Sequence, residues 1–450
     1  MSSARSRARP NPASRPRSAF QYKLGDLALD QACRIVQAKV AHVPQQIHLA
    51  FAGCDAGSGM TVSWSTYTKV AEPQLWLGAT TSSLAPVVPS EQARVDVTSY
   101  YADKHYSLYT YHVTLSRLTP ATQFFYKVGC ANCGGDSEAT VTSPVAAFTT
   151  AKPSSLGNDD QASEILIYGD FGADANAQQT TAFLLKTANN VDFIYHIGDI
   201  SYADDDFLSL SSFAGFFYEE TYNRWMSSLT ALMRQTPYMV SWATTRPTWP
   251  VHFTSISTES DYPRASHNSF IHEKRSGGFG DQLTWLEADL KAADANRAKI
   301  PWVIVDMHRP MYTLSDCDKD GNPKGSAKFI QSAFEELFIK YKVDVVVAGH
   351  VHSYERHFPI AHGKKVAAGV SPDEKRYQSP QAPVYIVTGA AGNAEGHDRL
   401  INKTRVEWVT NTDTTHYAIS SLRVTRKALS FKLIGTGDSV VYDEFEITKS

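Results

Sequence analysis

Cysteine is scarce in this chain of 450 residues, and long apolar runs are missing from it. Its five cysteines are an odd number spread thinly along the sequence, which argues against a disulfide framework. Cys130 and Cys133 form a lone CxxC on a predicted hairpin, where a structural bridge or free thiols are favoured over a redox or zinc site. No stretch reaches the roughly 18 apolar residues that cross a bilayer, so no membrane span is predicted.

A strong charge of either sign is also absent, because the formal net charge is only -3. Five arginines lie in the first twenty residues, which contain no acid, so the rest of the chain is mildly acidic and is predicted not to bind nucleic acid. Residues 1–42 lack the apolar segment of a secretory signal, and their Ser, Arg, Ala and Pro content predicts a disordered basic tail and lead-in. A transit peptide and a wrongly assigned gene start are the alternatives for this stretch.

The segment 43–150 is rich in short runs in which apolar and polar residues alternate. Seven such runs, separated by turn residues, begin with 46–53 and end with 144–150. A period of two at this spacing predicts an antiparallel β-sandwich. The turn at 118–124 resembles the one before a late strand of fibronectin type III domains, so we expect an all-β, fibronectin type III-like sandwich without catalytic groups.

Beyond a linker predicted at 151–161, the hydrophobic period changes. The runs EILIYGD and VDFIYHIGD are almost continuously apolar and enclose a segment with helical spacing, which makes a βαβ unit whose strands are buried on both faces. Helices and buried strands recur through a domain predicted at 162–445. We expect an α/β domain, in which helices cover two sheets or one large sheet.

Four of these apolar strands end in a side chain that can bind a metal ion: Asp170, Asp199, His308 and His350. Ligand sites in open α/β sheets collect at the carboxyl ends of strands, so the coincidence predicts one shared site. Taken singly, each residue has a structural alternative: Asp170 could cap a turn, and His350 could be an ordinary surface histidine. With Tyr202 and His352, the set offers only oxygen and nitrogen donors, which suits Fe(III), Zn(II) or Mn(II).

The motifs GDFG, GDISY, VDMH and AGHVHSYER, in this order and near these spacings, resemble the purple acid phosphatase branch of the calcineurin-like metallophosphoesterases. The runs QQIHLAFAG and DQLTWLEADL are similar to that branch as well. The resemblance implies a role for each of six side chains: Asp170, Tyr202 and His352 hold a ferric ion, His308 and His350 hold a divalent zinc, manganese or iron ion, and Asp199 bridges the two. A bridging carboxylate suits cations about 3.5–4 Å apart.

The function implied by the resemblance is hydrolysis of phosphate monoesters at acid pH by a dinuclear Fe(III)–M(II) centre, with metal-bound hydroxide as the nucleophile. We expect small phosphorylated substrates. The family relation favours a secreted, vacuolar or lysosomal glycoprotein, and Asn402 begins one glycosylation sequon. Two alternatives stay open: a catalytically inactive relative that binds metal or phosphate, and a phosphodiesterase or nucleotide hydrolase built on the same metal core.

The sequence departs from the family pattern in one place. The strand after GDxxY normally ends in Gly-Asn-His followed by Glu or Asp, whose Asn binds the second metal and whose His assists the substrate or leaving group. Here the chain runs from Val240 through SWATTRPTWP directly into Val251, so a block is missing and the catalytic histidine has no counterpart. The candidates to replace it are His267 and His272, for which solvated loop positions are the alternative. Losing such an imidazole typically costs about 10²–10⁴ in rate.

Two further features carry smaller expectations. Asp306 stands where the family usually has glycine, and it is predicted to be either a partner of the metal ligands or a loop residue. The run GAAGNAEG, which begins at Gly389, lacks the lysine and the clear following helix of a phosphate-binding P-loop. We therefore predict that this run is a turn.

Overall fold

The computed structural model of the chain describes residues 42–53, 57–90, 93–103, 106–133, 140–153, 162–203, 217–241, 245–248, 250–265, 280–400 and 406–449. Several predicted features lie outside these residues: the basic tail, most of the linker, the sequon at Asn402, and both His267 and His272. Within the described part of the chain, no helix is long and apolar enough to cross a membrane.

Nine strands form the N-terminal part of the fold. They are β1 (Gln45–Ala52), β2 (Gly59–Thr66), β3 (Glu72–Gly78), β4 (Ala85–Pro86), β5 (Ala93–Asp103), β6 (Tyr106–Leu115), β7 (Gln123–Asn132), β8 (Val141–Thr142) and β9 (Ala146–Thr149). One sheet has the order β1-β2-β6-β5, and the other has the order β4-β3-β7-β8 with β9 also paired to β7. The seven predicted strands are confirmed, and β4 and β8 are two-residue additions.

The two sheets share one core because side chains alternate between inward and outward positions along each strand. On β6, Tyr111, Val113 and Leu115 are buried, and the residues between them are only partly buried. Trp64 of β2 stacks on Tyr111 with ring centroids 5.4 Å apart, and Tyr126 of the second sheet belongs to the same apolar cluster. Burying side chains of this size stabilises the fold by about 1.5–3 kcal/mol each. The predicted all-β sandwich is therefore present.

The CxxC sequence closes the end of β7. Cys130 and Cys133 form a disulfide, and both residues are buried. Cys317 is buried, and its thiol donates to the carbonyl of Leu314 at 3.9 Å. Of the alternatives that the sequence leaves for the CxxC pair, the structural bridge is confirmed.

The remainder of the described chain alternates strands with helices. The strands are β10 (Ser163–Tyr168), β11 (Phe171–Gly172), β12 (Phe193–His196), β13 (Ile200–Ser201), β14 (Tyr238–Val240), β15 (Thr245–Thr248), β16 (Val251–Ile256), β17 (Trp302–Met307), β18 (Val345–Ala348), β19 (Tyr354–Ala361), β20 (Lys364–Lys365), β21 (Arg376–Gln378), β22 (Val384–Thr388), β23 (Val409–Asp413), β24 (Ala418–Val424), β25 (Ala428–Gly435) and β26 (Val441–Thr448). The helices are α1 (Gln178–Thr187), α2 (Phe217–Ser228), α3 (Thr230–Met233), α4 (Gln282–Ala295) and α5 (Gly325–Lys340), with 3-10 turns at Ala175–Ala177, Ala188–Asn190 and Leu314–Asp316.

These elements form four layers. A seven-stranded sheet has the order β14-β12-β10-β24-β25-β26-β21, and an eight-stranded sheet has the order β15-β16-β17-β18-β22-β19-β20 with β23 also paired to β19. Inner faces of the two sheets share one apolar cluster, α1, α2 and α3 cover the outer face of the first sheet, and α4 and α5 cover the outer face of the second. Of the two predicted arrangements, the one with two sheets is confirmed.

Helix α5 shows how the sequence produces this layering. Its buried residues include Ala327, Ile330, Phe334 and Phe338, which recur at intervals of three and four and so lie on one face. That face packs against the outer side of the eight-stranded sheet, where Val303 is one of the residues in the same cluster.

Parallel strand pairs in both sheets point toward one rim of the domain. In the first sheet β10 is parallel to β12, and in the second sheet β17 is parallel to β18. The carboxyl ends of parallel strands are where open α/β sheets collect their ligands. The loops after these four strands are therefore the place to look for a site.

Candidate metal centre

The four loops carry the four residues that the sequence places at strand ends. Asp170 follows β10, Asp199 follows β12, His308 follows β17 and His350 follows β18. Tyr202 follows the short strand β13, which pairs with β11 immediately after Asp170. The topology thus gathers residues that are as much as 180 positions apart, such as the hydrogen-bonded pair Asp170 and His350.

Backbone strain is concentrated at these positions. Asp170, Asp199, Tyr202 and His350 have φ values of 63°, 38°, 50° and 67°. Residues with a Cβ atom seldom adopt this left-handed region, and each sparsely populated conformation costs about 1–3 kcal/mol. Such strain persists only where the surroundings fix the backbone, and it is typical of ligand-binding sites.

Three of the predicted ligands surround the phenol of Tyr202. Its Oη lies 3.1 Å from Asp170 Oδ1, 3.3 Å from Asp199 Oδ2 and 2.8 Å from His352 Nε2. The same His352 nitrogen is 3.4 Å from Asp170 Oδ1. These four side chains therefore present their donor atoms to one small volume.

The other two predicted ligands lie on the far side of Asp199. His308 Nε2 is 3.3 Å from Asp199 Oδ2, and the ring centroids of His308 and His350 are 5.1 Å apart. Candidate ligand atoms of Asp199, His308 and His350 all lie within 4.8 Å of one another. Asp199 is thus shared by two groups of donors, so all six predicted side chains converge.

Hydrogen bonds from neighbouring groups orient the donors. The buried carboxylate of Asp170 accepts the backbone N–H of His350 at 3.0 and 2.8 Å. His352 Nδ1 donates to the carbonyl of Gly396 at 3.0 Å, and its backbone N–H donates to Asp398 at 2.8 Å. Because a carbonyl only accepts, Nδ1 carries a proton, and Nε2, which faces the cluster, is the nitrogen that could bind a metal.

Two glycines permit this close approach. A Cβ atom at Gly198, where φ is +95°, would lie 2.4 Å from His308 Nδ1. A Cβ atom at Gly349 would lie 2.5 Å from Asp170 Oδ2. The Gly-Asp and Gly-His pairs of the motifs therefore have a steric reason to contain glycine.

The charges of the cluster are strongly coupled. Burial would raise the pKa of Asp199, yet the hydrogen bond and charge of His308 hold it well below its usual range. Burial would lower the pKa of His308, but its bond to Asp199 and the charge of Asp170 raise it to about 9. Burial and the charges of Arg309 and His308 lower the pKa of His350 to about 3. A bound cation would take over the role of the His308 proton.

The donor set fits a pair of cations. Burial and the charge of Asp170 raise the pKa of Tyr202, so the phenolate needs a nearby cation at neutral pH. Within the described residues, His308 Nδ1 is buried and has no hydrogen-bond partner. Two carboxylates, a phenol and three imidazoles suit iron, zinc or manganese.

The structure places no Asn or His from β14–β16 in this cluster, within the described residues. Asn223 and His252 lie near the missing block in the sequence, but Asn223 accepts from Gln46 and His252 pairs with Asp289. The chain passes from β14, at one edge of the first sheet, to β15, at one edge of the second. The predicted replacements at 267 and 272 lie outside the described residues, so that hypothesis stays a prediction.

Asp306 is a buried strand residue, so the predicted alternative of a loop residue is wrong. It lies on β17, where alternation places it on the same face as the buried Ile304. Its carboxylate accepts hydroxyls of Tyr195 at 2.6 Å, Ser241 at 2.5 Å and Ser255 at 2.9 Å. Since Tyr195 and Ser241 belong to the first sheet and its continuation, Asp306 ties the two sheets together beside the missing block.

A cavity of about 510 Å³ opens over the donors. Besides four of the predicted ligands, residues that sequence reasoning missed line it: Arg309, Thr313, Ser315, Asp316, Ser326, Glu395 and Asp398. Two of them carried a signal, because Arg309 follows His308 directly and Glu395 lies in the loop after β22, which is parallel to β18 and ends at the same rim. The Gly-rich run is confirmed as a turn, and its Asn393 donates to the Asp170 carbonyl at 3.3 Å.

Two helix-covered sheets with such donors at their rim define a metallophosphoesterase of the calcineurin-like class, and residues 217–354 match the family model described as calcineurin-like phosphoesterase. Residues 44–150 match the purple acid phosphatase N-terminal domain, and 382–444 match the iron/zinc purple acid phosphatase-like protein C. The chain is 30% identical to human acid phosphatase type 7, over 78% of both chains. It belongs to the purple acid phosphatase family.

Other comparisons agree with this assignment. The zebrafish acid phosphatase type 7 is 29% identical over 81% of this chain and 82% of that protein. That alignment extends over 408 positions, more than 81% of 450 residues, so parts of that relative have no counterpart here. A purple acid phosphatase from yellow lupin seeds has the same fold, with a TM-score of 0.71 over 91% of this chain and 75% of that chain at 19% identity.

Proposed function

We propose that this chain is a metal-dependent phosphomonoesterase that works at acid pH on small phosphorylated substrates. The observation that carries the proposal is the convergence of Asp199 and five further oxygen and nitrogen donors at the floor of an open cavity. Relatives named acid phosphatases from human and zebrafish add support.

The six donors divide into two groups around the shared Asp199. Asp170, Tyr202 and His352 would hold a ferric ion, and His308 and His350 would hold zinc, manganese or iron. When bound, such a pair of cations acidifies a water molecule and neutralises the charge that develops on the phosphoryl oxygens. The iron/zinc wording of the matching C-terminal family model supports this choice of metals.

The protein's own contribution is orientation. The backbone N–H of His350 fixes the Asp170 carboxylate, and the carbonyl of Gly396 fixes the His352 tautomer, so the donor atoms are in place before a metal arrives. The missing block leaves the second cation with three protein side chains. It also removes the histidine that would assist the leaving group, so we expect slow turnover relative to complete family members.

A non-catalytic role is the second candidate, and the missing block is the observation that favours it. A chain with six donors but no motif histidine could retain the metals and bind phosphate without hydrolysing esters. This candidate predicts metal binding and phosphate binding without turnover.

One assay separates these functions. The purified chain is reconstituted with iron and zinc and tested at about pH 5, where such a centre keeps an activated water available, against p-nitrophenyl phosphate and bis(p-nitrophenyl) phosphate. Faster hydrolysis of the monoester supports the proposal, and faster hydrolysis of the diester indicates a phosphodiesterase. Metal content without any hydrolysis contradicts the enzyme and supports the non-catalytic role.

We also propose a secreted, vacuolar or lysosomal location with glycosylation at Asn402. The disulfide between Cys130 and Cys133 supports it, because such bridges persist mainly in oxidising compartments. Endoglycosidase treatment of the protein from its own cells should increase its gel mobility. An unchanged mobility that also equals that of Asn402→Gln would contradict the glycosylation.

A further inference from the structure

Arg309 extends from the site into the cavity wall. Its Nε donates to Glu259 Oε1 at 2.6 Å, and its Nη1 lies 2.8 Å from His350 Nε2. Its backbone N–H donates to Thr258 Oγ1 at 2.8 Å. The side chain is 34% exposed, so the guanidinium is held on two sides and still accessible from the cavity.

The charge of the cavity makes this arginine unusual. Among the described residues that line the cavity, Arg309 is the one lysine or arginine, and the carboxylates are Asp199, Asp316, Glu395 and Asp398. A phosphate monoester is an anion, so these acids repel it wherever no cation intervenes. The planar guanidinium presents paired N–H donors that match two phosphoryl oxygens.

Metal binding would free part of this guanidinium. Arginine does not lose its proton in proteins, so Nη1 donates and His350 Nε2 accepts. An imidazole nitrogen has one lone pair, and a cation held through Nε2 would take it from Arg309. The Glu259 carboxylate would keep its bond to Nε. Arg309 would then present an unpaired N–H to the cavity, next to the metals.

We propose that Arg309 contacts the phosphoryl group of the substrate, with Glu259 orienting its guanidinium, and so replaces the substrate-binding histidine of the missing block. The identity of the ligand as a phosphate ester rests on the proposed function. Arg309 is then a catalytic residue that touches the substrate, and Glu259 is a positioning residue.

Binding of inorganic phosphate tests the contact without requiring turnover. Wild type and variants are loaded with iron and zinc, their metal content is measured, and phosphate is titrated calorimetrically. Arg309→Gln and Arg309→Met should weaken phosphate binding by roughly 10- to 100-fold at unchanged metal content, because a charge-assisted hydrogen bond is lost. Arg309→Lys should weaken phosphate binding by an intermediate factor, since lysine keeps the positive charge but lacks the paired N–H donors of the guanidinium. Arg376→Gln, on the exposed residue of β21, is the matched control and should bind like wild type.

Kinetics with p-nitrophenyl phosphate add a second readout. The neutral Arg309 variants should raise KM by a similar factor. Glu259→Gln should raise KM only about 2- to 5-fold, because its partly exposed ion pair with Arg309 is worth little by itself.

The outcomes are distinct. If both neutral Arg309 variants bind phosphate as tightly as wild type at equal metal content, the inference is overturned while the proposed function stands. Loss of metal in these variants also overturns it, because Arg309 would then act on the metals. A wild-type chain that binds phosphate through Arg309 but hydrolyses nothing supports the inference and contradicts the proposed function. A metal-loaded wild type that does not bind phosphate contradicts both.

Discussion

The two groups of donors around Asp199 differ in how well the chain supports them. We name Asp170, Tyr202 and His352 the tyrosine half and His308 and His350 the histidine half. In the tyrosine half, Asp170 accepts a hydrogen bond from the backbone N–H of His350, and His352 Nδ1 donates to the carbonyl of Gly396. In the histidine half, His350 Nε2 faces Arg309 and His308 Nδ1 has no partner among the described residues. By the family resemblance, the missing motif would add its Asn to the histidine half alone.

We infer from this difference that the fold does not need the block missing between β14 and β15, whereas the histidine half does. The strands that carry the ligands belong to the cores of both sheets, so removing a loop between β14 and β15 leaves them in place. Beside that connection, Ser241, Ser255 and Tyr195 donate to Asp306, and hydrogen bonds to a charged group contribute about 1.5–3 kcal/mol each. The structure is therefore preserved in a region where we expect the chemistry to be reduced.

The largest effect is expected from a substitution that weakens both halves of the metal centre. Asp199→Asn removes the shared carboxylate charge, so both metals should bind weakly and hydrolysis of p-nitrophenyl phosphate should fall by at least about 10⁴-fold. Metal content and turnover are measured together. Asp373→Asn, at an exposed turn, is the control. Two metals retained by Asp199→Asn would show that the halves do not share this residue.

Restoring the missing block should strengthen the histidine half. Inserting a segment that contains the Gly-Asn-His motif of the family between Val240 and Val251 should raise kcat/KM by about 10²–10⁴-fold, since it returns a motif histidine. The matched control is the same insertion with its motif Asn and His changed to Ala. Equal values of kcat/KM for the two insertions would show that the motif Asn and His do not limit the rate of this chain.

Removing the phenol should affect the tyrosine half alone. Tyr202→Phe deletes the hydroxyl that lies 2.8 Å from His352 and 3.1 Å from Asp170. By the family resemblance, the visible absorption of the iron-loaded protein should disappear while zinc content stays unchanged. Activity should fall by about 10- to 100-fold, as for other changes around a metal. A visible band that survives in the variant contradicts the role of Tyr202.

The smallest expected effect concerns the metal-free protein and the histidine half. The folded-state pKa of His308 is about 9, above the ordinary 6.5. The protonated ring therefore stabilises the fold fully below about pH 6.5, and this contribution is lost as the pH rises through about 9. Because Asp199 is 44% exposed, we expect only about 1–2 kcal/mol.

Urea unfolding of the metal-stripped protein at two pH values measures this contribution to the free energy of unfolding. Wild type should lose more stability between pH 6 and pH 9.5 than His308→Asn, with the exposed His362→Asn as a control that behaves like wild type. Identical losses of stability in wild type and His308→Asn would contradict the raised pKa of His308.

Much of the fold is readable from the sequence, because period-two alternation and continuous apolar runs identify strands locally. The strands β24, β25 and β26 were not predicted as part of a sheet with β10. Leu422 of β24 pairs with Ile165 of β10 across more than 250 positions, and alternation says nothing about such a partner. Helix α2 was also missed, because YEETYNRWMSS mixes polar and aromatic residues without a clear stripe, although Trp225 and Met226 are buried.

The ligands were predictable and the cavity wall was not. The ends of the strands place Asp170 and His350, whereas Thr313 and Asp398 reach the cavity through loop conformations that have no periodic signal. Asp306 was misleading for a related reason. It precedes His308 by two residues, so the sequence leaves a partner of the metal ligands and a loop residue as alternatives, but β17 continues to Met307 and alternation places Asp306 in the core.

We propose that six side chains hold two metal ions that share Asp199. Dialysis of the metal-stripped chain against iron and zinc, followed by elemental analysis, measures the number of ions bound per chain. Wild type is expected to bind two ions, with the one in the tyrosine half held more tightly, and Asp199→Asn is expected to lose both affinities. Fewer than one ion per wild-type chain, or binding that Asp199→Asn leaves unchanged, would contradict this proposal.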